Sequence, residues 1–232
     1  MDRRQFLAAS VVSSLGLSRF GFAADQGQQA IAEGGALAPP KDRPVNVAIP
    51  ISAWNTWIDF IGPDAVFQTY HKDPADGKYK PRFKPFFVAE KLEPTGKIFP
   101  DYTFETAPPA EIILVGAQKG SDALIKWLKE TSSKTEITMS VCTGAYHLAE
   151  AGILDGLKAT SHHESIADLK KKYPKVEWIS GMRFVEGKRI STGGGLTAGI
   201  DLALRVTERY HGREWAKEVA THIEYQGLGW MT

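Results

Sequence analysis

A single cysteine, Cys142, stands in Ser140-Val141-Cys142-Thr143-Gly144-Ala145, where a β-branched apolar run, Ile137 to Val141, gives way to helical spacing from Gly144 to Ala151. A sharp strand-to-helix turn at such a place lifts a nucleophile above the sheet edge, and it needs small neighbours because backbone packs tightly on both sides. Ser140, Gly144 and Ala145 supply them. Peptide dipoles at the helix start are expected to lower the pKa of the thiol. An inert cysteine filling core space is the competing reading, since this residue type is commonly buried. Placement at a strand end between small flanks favours chemistry.

A nucleophile needs a proton partner. Asp59, in Trp57-Ile58-Asp59-Phe60-Ile61-Gly62-Pro63, lies among apolar residues after the run Val45 to Ile51. In an apolar mouth its pKa would rise, which suits proton exchange with a thiol or a bound water. Capping a helix that starts near Gly62 and Pro63 is an equally weighted role. His162 and His163 follow Leu157 to Ser161 and could reach the site from a strand end, although a histidine at a helix start is more often structural. His147, five residues after Cys142, is expected to face away. Gly193-Gly194-Gly195-Leu196 opens a helix and could cradle an anion. It lacks the P-loop lysine and the dinucleotide spacing, so close packing of helix on sheet is its expected purpose. One cysteine rules out an intramolecular disulfide and any zinc site built on two thiolates, and no cofactor or metal is called for.

These residues must be carried by a framework of strand ends. From Val45 onward, short β-branched runs alternate with longer amphipathic stretches, the pattern of a parallel sheet flanked by helices. The strands are expected at Val45 to Ile51, Ile112 to Val115 and Ile137 to Val141, with a helix over Asp122 to Glu130. Arg183 to Ile190 reads as a hairpin turning at Gly187. Two closing helices fit Leu196 to Tyr210 and Glu214 to Tyr225, broken at Gly212. Lys78 to Pro85, mixing proline, lysine and aromatics, reads as an edge loop before a strand at Phe86 to Glu90. Its basic residues are read as a solvated face.

The chain of 232 residues has 43% apolar, 10% aromatic and 24% charged residues, with 28 bases against 27 acids. That composition supports a substantial core and speaks against disorder and coiled coil. Net charge near zero speaks against a nucleic-acid or anionic-membrane partner held by bulk electrostatics. Residues 1–24 differ in kind: Arg3 and Arg4, an apolar run from Phe6 to Leu17, Arg19, then Ala23 and Ala24. They read as an export signal, with an apolar run too short for a permanent membrane anchor. Residues 25–44, rich in Gln, Ala, Gly and Pro, read as a flexible leader, so the folded domain is expected over 45–232.

Four stretches in order carry a family resemblance: Asp59-Phe60-Ile61-Gly62-Pro63; Thr103-Phe104 through Ile112 to Gly116; Val141-Cys142-Thr143-Gly144-Ala145 through Ala151-Gly152-Ile153-Leu154-Asp155-Gly156; and Thr192-Gly193-Gly194 through Ala198-Gly199-Ile200-Asp201. Together they resemble the DJ-1/PfpI superfamily, whose class I glutamine-amidotransferase-like, flavodoxin-like α/β fold carries a cysteine elbow. The Asp-x-x-Gly-Pro and Cys-Thr-Gly segments, with Ala159-Thr160-Ser161-His162, look most like the isonitrile hydratase branch. Asp2-Arg3-Arg4-Gln5-Phe6-Leu7 resembles a twin-arginine signal, which implies export of a folded protein to a bacterial periplasm.

The resemblance implies Cys142 as nucleophile, Asp59 as acid/base partner and Thr143 as a supporting group, with His162, Gly116, Ala117 and Gly62 as further candidates. The implied reaction is hydration of an isonitrile to an N-substituted formamide, with backbone N–H groups near Gly116 and Thr143 holding the developing charge. Thr143 replaces the histidine of peptidase-like members, so proteolysis is not expected. Ala117 departs from a usual second glycine, and His163 stands at a position commonly occupied by tryptophan. A binding or redox-sensing domain without turnover is the rival, and glyoxalase-like chemistry with Asp59 and His162 a third reading. The expected partners are a small molecule and a second copy of the chain. No helix-turn-helix follows the last helices, so DNA binding is not expected.

Overall fold

The computed structural model describes residues 30–72, 75–96 and 98–231. The expected export signal, 1–24, and the first residues of the expected leader, 25–29, lie outside them.

The strands are β1 (Ala30–Ala32), β2 (Val45–Pro50), β3 (Tyr70–Lys72), β4 (Tyr79–Pro81), β5 (Phe83–Ala89), β6 (Tyr102–Thr103), β7 (Ile112–Val115), β8 (Ile137–Val141), β9 (Lys158–Ala159), β10 (Glu177–Trp178), β11 (Phe184–Glu186) and β12 (Ile190–Gly193). The helices are α1 (Ile58–Phe67), α2 (Asp122–Ser132), α3 (Gly144–Glu150), α4 (Ile166–Lys172), α5 (Ala198–His211) and α6 (Arg213–His222). Eight strands form one sheet in the order β1-β11-β12-β8-β7-β2-β5-β6. From β12 to β6 every pair is parallel, whereas the β11–β12 hairpin is antiparallel and turns β11 and β1 the other way.

Side chains alternate across the strands, so one sequence run feeds two cores. Val45, Val47, Ile49, Ile112, Leu114, Ile137 and Met139 face Phe60, Phe67, Leu202, Val206 and Trp215 of α1, α5 and α6. Ala48, Ile113 and Val115 face Leu124, Leu128, Leu148 and Leu169 of α2, α3 and α4. The result is the expected α/β sandwich. After β2 the chain moves outward to β5 and then returns to β7 on the other side of β2. Such a reversal leaves a crevice at the carboxyl ends of the two strands, where ligands bind in open α/β sheets.

Several expectations need correction. The supposed flexible leader is part of the sheet from Ala30 on: β1 pairs with β11, and Leu37 packs on the core. The Gly34 N–H donates to the buried Glu186, and the Arg209 guanidinium donates to the Gly35 carbonyl. The anchoring charges lie over 150 residues away in sequence, so nothing in the segment's own composition announces them. Lys78 to Pro85 is not a loop. Tyr79–Pro81 pairs with β3, and β5 starts at Phe83. Pro85 is tolerated because the Phe87 N–H, two residues on, points away from β2 to the Asp101 side chain, so the donor missing at Pro85 faces an edge that β6 does not cover. The closing helices run over Ala198–His211 and Arg213–His222, divided as expected at Gly212, whose φ is +83°.

Candidate active site

The carboxyl ends of β2, β7 and β8 bring Asp59, Ala117 and Cys142 together. Asp59 does not cap a helix starting near Gly62. It lies inside the first turn of α1, which begins at Ile58. Its carboxylate has no exposed surface. Oδ2 accepts the Ala117 N–H at 3.0 Å. Oδ1 has no hydrogen-bond partner, and the Cys142 thiol lies close enough to feel the charge of the carboxylate. Burial pushes the Asp59 carboxyl up to about 6, against the pull of the Ala117 N–H and the thiol.

Cys142 has the left-handed φ of +58° that an elbow demands. Its N–H donates to the Gly194 carbonyl at 2.8 Å, and its carbonyl accepts the Ser161 hydroxyl at 2.8 Å. Gly144 is obligatory after the turn, since a Cβ there would collide with the Val115 carbonyl. The Thr143 N–H and hydroxyl and the Leu196 N–H lie near enough to the sulfur to favour its ionised form. The expectation of a lowered thiol pKa is overturned. Burial and then the Asp59 charge push the thiol up, and the three donors only partly offset them. The short helix α3 does not outweigh a buried carboxylate beside the sulfur.

The remaining candidates sort by contact. Thr143 lies beside the sulfur, as expected. Ala117 serves Asp59 with its N–H, so that donor is not free to hold a developing charge. Gly116 is a packing residue whose missing Cβ admits the Phe60 ring, and Gly62 likewise lets Ile200 of α5 approach α1. His162 has no hydrogen bond to Cys142 or Asp59. Its ring packs on Gly195, 2.5 Å from where a Cβ would be, and its Nδ1 lies 3.8 Å from a Glu164 carboxylate oxygen. His163 stacks on His162 with 4.5 Å between ring centroids. His147 does face away from the thiol, buried beneath the loop after β7 with Nε2 at 3.1 Å from the Gln118 carbonyl.

The loops after β2 and β7 are laced together over the crevice. The Thr56 N–H donates to the Ala117 carbonyl and the Lys119 N–H to the Ala53 carbonyl, each at 2.9 Å, and the Ser52 hydroxyl donates to the Lys119 carbonyl. This fixes Ala117 against Asp59. Sequence reasoning missed two residues at the elbow, Ser161 and Leu196. A serine between Thr160 and His162 at a strand end was the available signal for the first. A leucine held at φ +54° leaves no mark in sequence. Among the described residues no cluster of three His, Cys, Asp or Glu is placed to hold a metal ion, and no helix is long and apolar enough to cross a membrane.

Comparison with known proteins fits this geometry. The isonitrile hydratase of Pseudomonas putida is 32% identical over 135 residues, covering 54% of this chain and 57% of that protein. The HTH-type transcriptional regulator CdhR of Pseudomonas aeruginosa is 37% identical over 98 residues, covering 42% of this chain and 29% of that protein. The chain thus spans less than two thirds of the length of these curated relatives. A crystal structure of a ThiJ/PfpI family protein from Pseudomonas syringae shares the fold, with a TM-score of 0.64 at 22% identity over 93% of this chain and 84% of that one. Drosophila melanogaster DJ-1beta does so with a TM-score of 0.63 at 15% identity, over 79% of this chain and 100% of that one. The DJ-1/PfpI family model matches residues 91–209, which hold the elbow, the loop after β7 and just over half of the chain. The chain therefore belongs to the DJ-1/PfpI family.

Proposed function

We propose that this protein is a cysteine-dependent hydratase acting on a small neutral molecule of the isonitrile class. The observation that carries the reading is the pairing of Asp59 with Cys142: a fully buried carboxyl, pushed up to about 6, with one oxygen free of any N–H or O–H donor and a thiol beside it. A carboxyl poised near neutral pH exchanges protons at both stages of such a reaction. The thiol adds across the terminal carbon: sulfur bonds to it, and the thiol proton reaches the same carbon through Asp59, leaving a thioimidate. Water then adds to that carbon, the C–S bond breaks, the proton returns to sulfur through Asp59, and an N-substituted formamide leaves. The Thr143 N–H and hydroxyl support the sulfur as it gains and loses charge.

The test is turnover of a simple alkyl isonitrile by the wild type, Cys142→Ser and Asp59→Asn, with formamide measured directly and methylglyoxal as the competing substrate. Formamide production lost in both variants supports the reading. Turnover of methylglyoxal alone would favour the glyoxalase-like alternative, which the lack of a hydrogen bond from His162 to either residue disfavours. Inactivity on both favours a ligand-binding or redox-reporting domain, a reading supported by the likeness to CdhR and by the raised thiol pKa.

Export through the twin-arginine pathway to a periplasm is part of the proposal and rests on Arg3, Arg4 and Arg19 around an apolar run. So is a homodimer. Ile58, Ile61 and Leu196 are about 40% exposed on α1 and the turn before α5, which meet where Gly62 admits Ile200. Light scattering on the mature chain tests assembly, and periplasmic fractionation tests export.

A further inference from the structure

His147 is buried on α3, the helix that the elbow opens, and the proposed reaction makes no use of it. Its Nε2 stands 3.1 Å from the Gln118 carbonyl. A carbonyl only accepts, so Nε2 carries the hydrogen and the ring is the donor. Nδ1 is buried without a hydrogen-bond partner among the described residues, so a second proton there would have nothing to bind. Burial accordingly holds the ring's pKa below the ordinary histidine value, against the pull of the Gln118 carbonyl and of Glu150 on the same helix. The neutral ring is a fixed donor aimed at one carbonyl.

That carbonyl belongs to the loop that brings the Ala117 N–H to Asp59, and residues 117–119 are tied on three sides. The Ala117 N–H donates to Asp59 Oδ2 of α1 at 3.0 Å. From the β2 side, the Thr56 N–H donates to the Ala117 carbonyl, the Ala53 carbonyl accepts the Lys119 N–H, and the Gln118 Nε2 donates to the Pro50 carbonyl at 3.0 Å. From the elbow side comes His147. Gly120 closes the loop over its ring, since a Cβ there would stand 3.1 Å from Cε1 and 3.2 Å from Nδ1. The His147 bond therefore differs from the others in where it starts: on the helix that Cys142 introduces, five residues after the thiol.

We propose that His147 is a positioning residue for the Cys142 and Asp59 pair: through the Gln118 carbonyl it holds the loop after β7 so that the Ala117 N–H stays on the Asp59 carboxylate. One side chain thereby fixes the loop that serves the carboxylate to the helix that follows the thiol. The role in turnover rests on the reading of Asp59 as acid/base partner, but the hydrogen bond that His147 sets is measurable without substrate. A donor on a carboxylate favours its ionised form, so slackening the loop should make Asp59 a weaker acid.

The experiment is the pH titration of the Asp59 carboxyl carbon by NMR in the full chain labelled with carbon-13 at aspartate, the resonance being assigned by its absence in Asp59→Asn. Wild type, His147→Leu, His147→Gln and Gly120→Ala are compared, with thermal unfolding beside each. His147→Leu fills the space and cannot donate, so the Asp59 midpoint should rise by about half a unit to one unit, part of the worth of a charge-assisted hydrogen bond. His147→Gln returns an N–H near the place of Nε2 and should stay within about 0.3 unit of the wild type. A merely structural role would lower the unfolding temperature of His147→Leu and leave the Asp59 titration where it was. If His147→Leu does not fold, Gly120→Ala, whose Cβ displaces the ring, takes its place and should raise the midpoint in the same direction. A wild-type midpoint in His147→Leu, or in Gly120→Ala where that variant replaces it, overturns the proposal. So does a midpoint in His147→Gln as far displaced as in His147→Leu, which would make the ring's shape and not its N–H the cause. A wild type that turns over no isonitrile yet shows the expected titrations would defeat the proposed reaction and leave the positioning role standing.

Discussion

Asp59 and Glu186 are both carboxylates with no exposed surface, and burial pushes both up. Their surroundings differ. Glu186 faces the Arg205 Nε at 3.2 Å, the Arg209 Nη1 at 3.5 Å and the Gly34 N–H at 3.2 Å, and the two guanidiniums pull it back toward ionisation. Asp59 has one backbone N–H and a thiol. A buried charge among guanidiniums is a clamp, and here it fastens the N-terminal segment to the sheet. A buried carboxyl with an unsatisfied oxygen beside a thiol is a proton store. Neither burial nor an oxygen without a hydrogen bond distinguishes them, since Glu186 Oε1 lacks one too; the guanidiniums beside Glu186 and the thiol beside Asp59 do.

The largest effect expected from this contrast is on stability at the clamp. Glu186→Ala leaves Arg205 and Arg209 partly buried without their shared counter-ion and should cost about 3–5 kcal/mol in urea unfolding. It should also expose residues 30–37 to limited proteolysis. A loss below about 1 kcal/mol would mean that strand pairing, not the ion cluster, holds β1. Asp59→Asn should show the reverse pattern. Turnover should fall by at least about a hundredfold with no loss of stability, since an amide removes a buried charge whose shell is incomplete. If Asp59→Asn unfolds as readily as Glu186→Ala, the two carboxylates do the same job and the contrast collapses.

The sign of the pH dependence sharpens the same point. The Asp59 carboxyl is raised from 3.8 to about 6, so between those values the folded chain keeps a proton that the unfolded chain has lost. Stability therefore falls as pH rises from about 4 to 6 and stays reduced above, by on the order of 2 kcal/mol. Asp64, also raised to about 6 by burial, adds a fall of the same sign. Asp59→Asn should remove its share of the slope, and urea midpoints at pH 4, 5, 6 and 7 would measure it. A slope unchanged in Asp59→Asn would mean that this carboxyl is already ionised at pH 4.

What the sequence disclosed follows from where each feature is encoded. The strand Ile137–Val141 and the helix from Gly144 were legible because apolar runs and helical spacing are local, and Cys142 between them was legible with them. Asp59 was visible as a carboxylate among apolar neighbours. Its place inside α1 was not, because Gly62 and Pro63 look like a helix start when Pro63 in fact occupies the helix interior. The thiol's pKa was misjudged because its burial, the larger cause, is set by tertiary packing, and the Asp59 charge comes from 83 residues away in sequence. The clamp on residues 30–37 was invisible for the same reason. Leu196 was hidden differently: a left-handed backbone dihedral leaves no mark on residue type, and His162, which packs on Gly195, read as more often structural than catalytic with nothing to say what it packs on.

The smallest prediction compares Leu196 with Glu224, which shares its left-handed backbone at φ +53°. Glu224 follows α6, where the Tyr225 N–H reaches back to the Ala220 carbonyl at 2.8 Å and the Glu224 N–H to the Thr221 carbonyl at 3.1 Å. That is a Schellman ending, in which the left-handed residue is most often glycine and satisfies terminal carbonyls and nothing else. Glu224→Gly should therefore relieve backbone strain and stabilise the chain by about 0.5–1 kcal/mol, with no change in the pH profile of Cys142 alkylation by iodoacetamide. Leu196→Gly keeps the N–H and relieves the same strain, but it frees the turn to leave the sulfur, so its alkylation midpoint should rise while Glu224→Gly leaves it alone. Thermal unfolding paired with iodoacetamide kinetics separates the two. Equal behaviour of both variants in both measurements would show that the strain at Leu196 only ends a turn, as it does at Glu224.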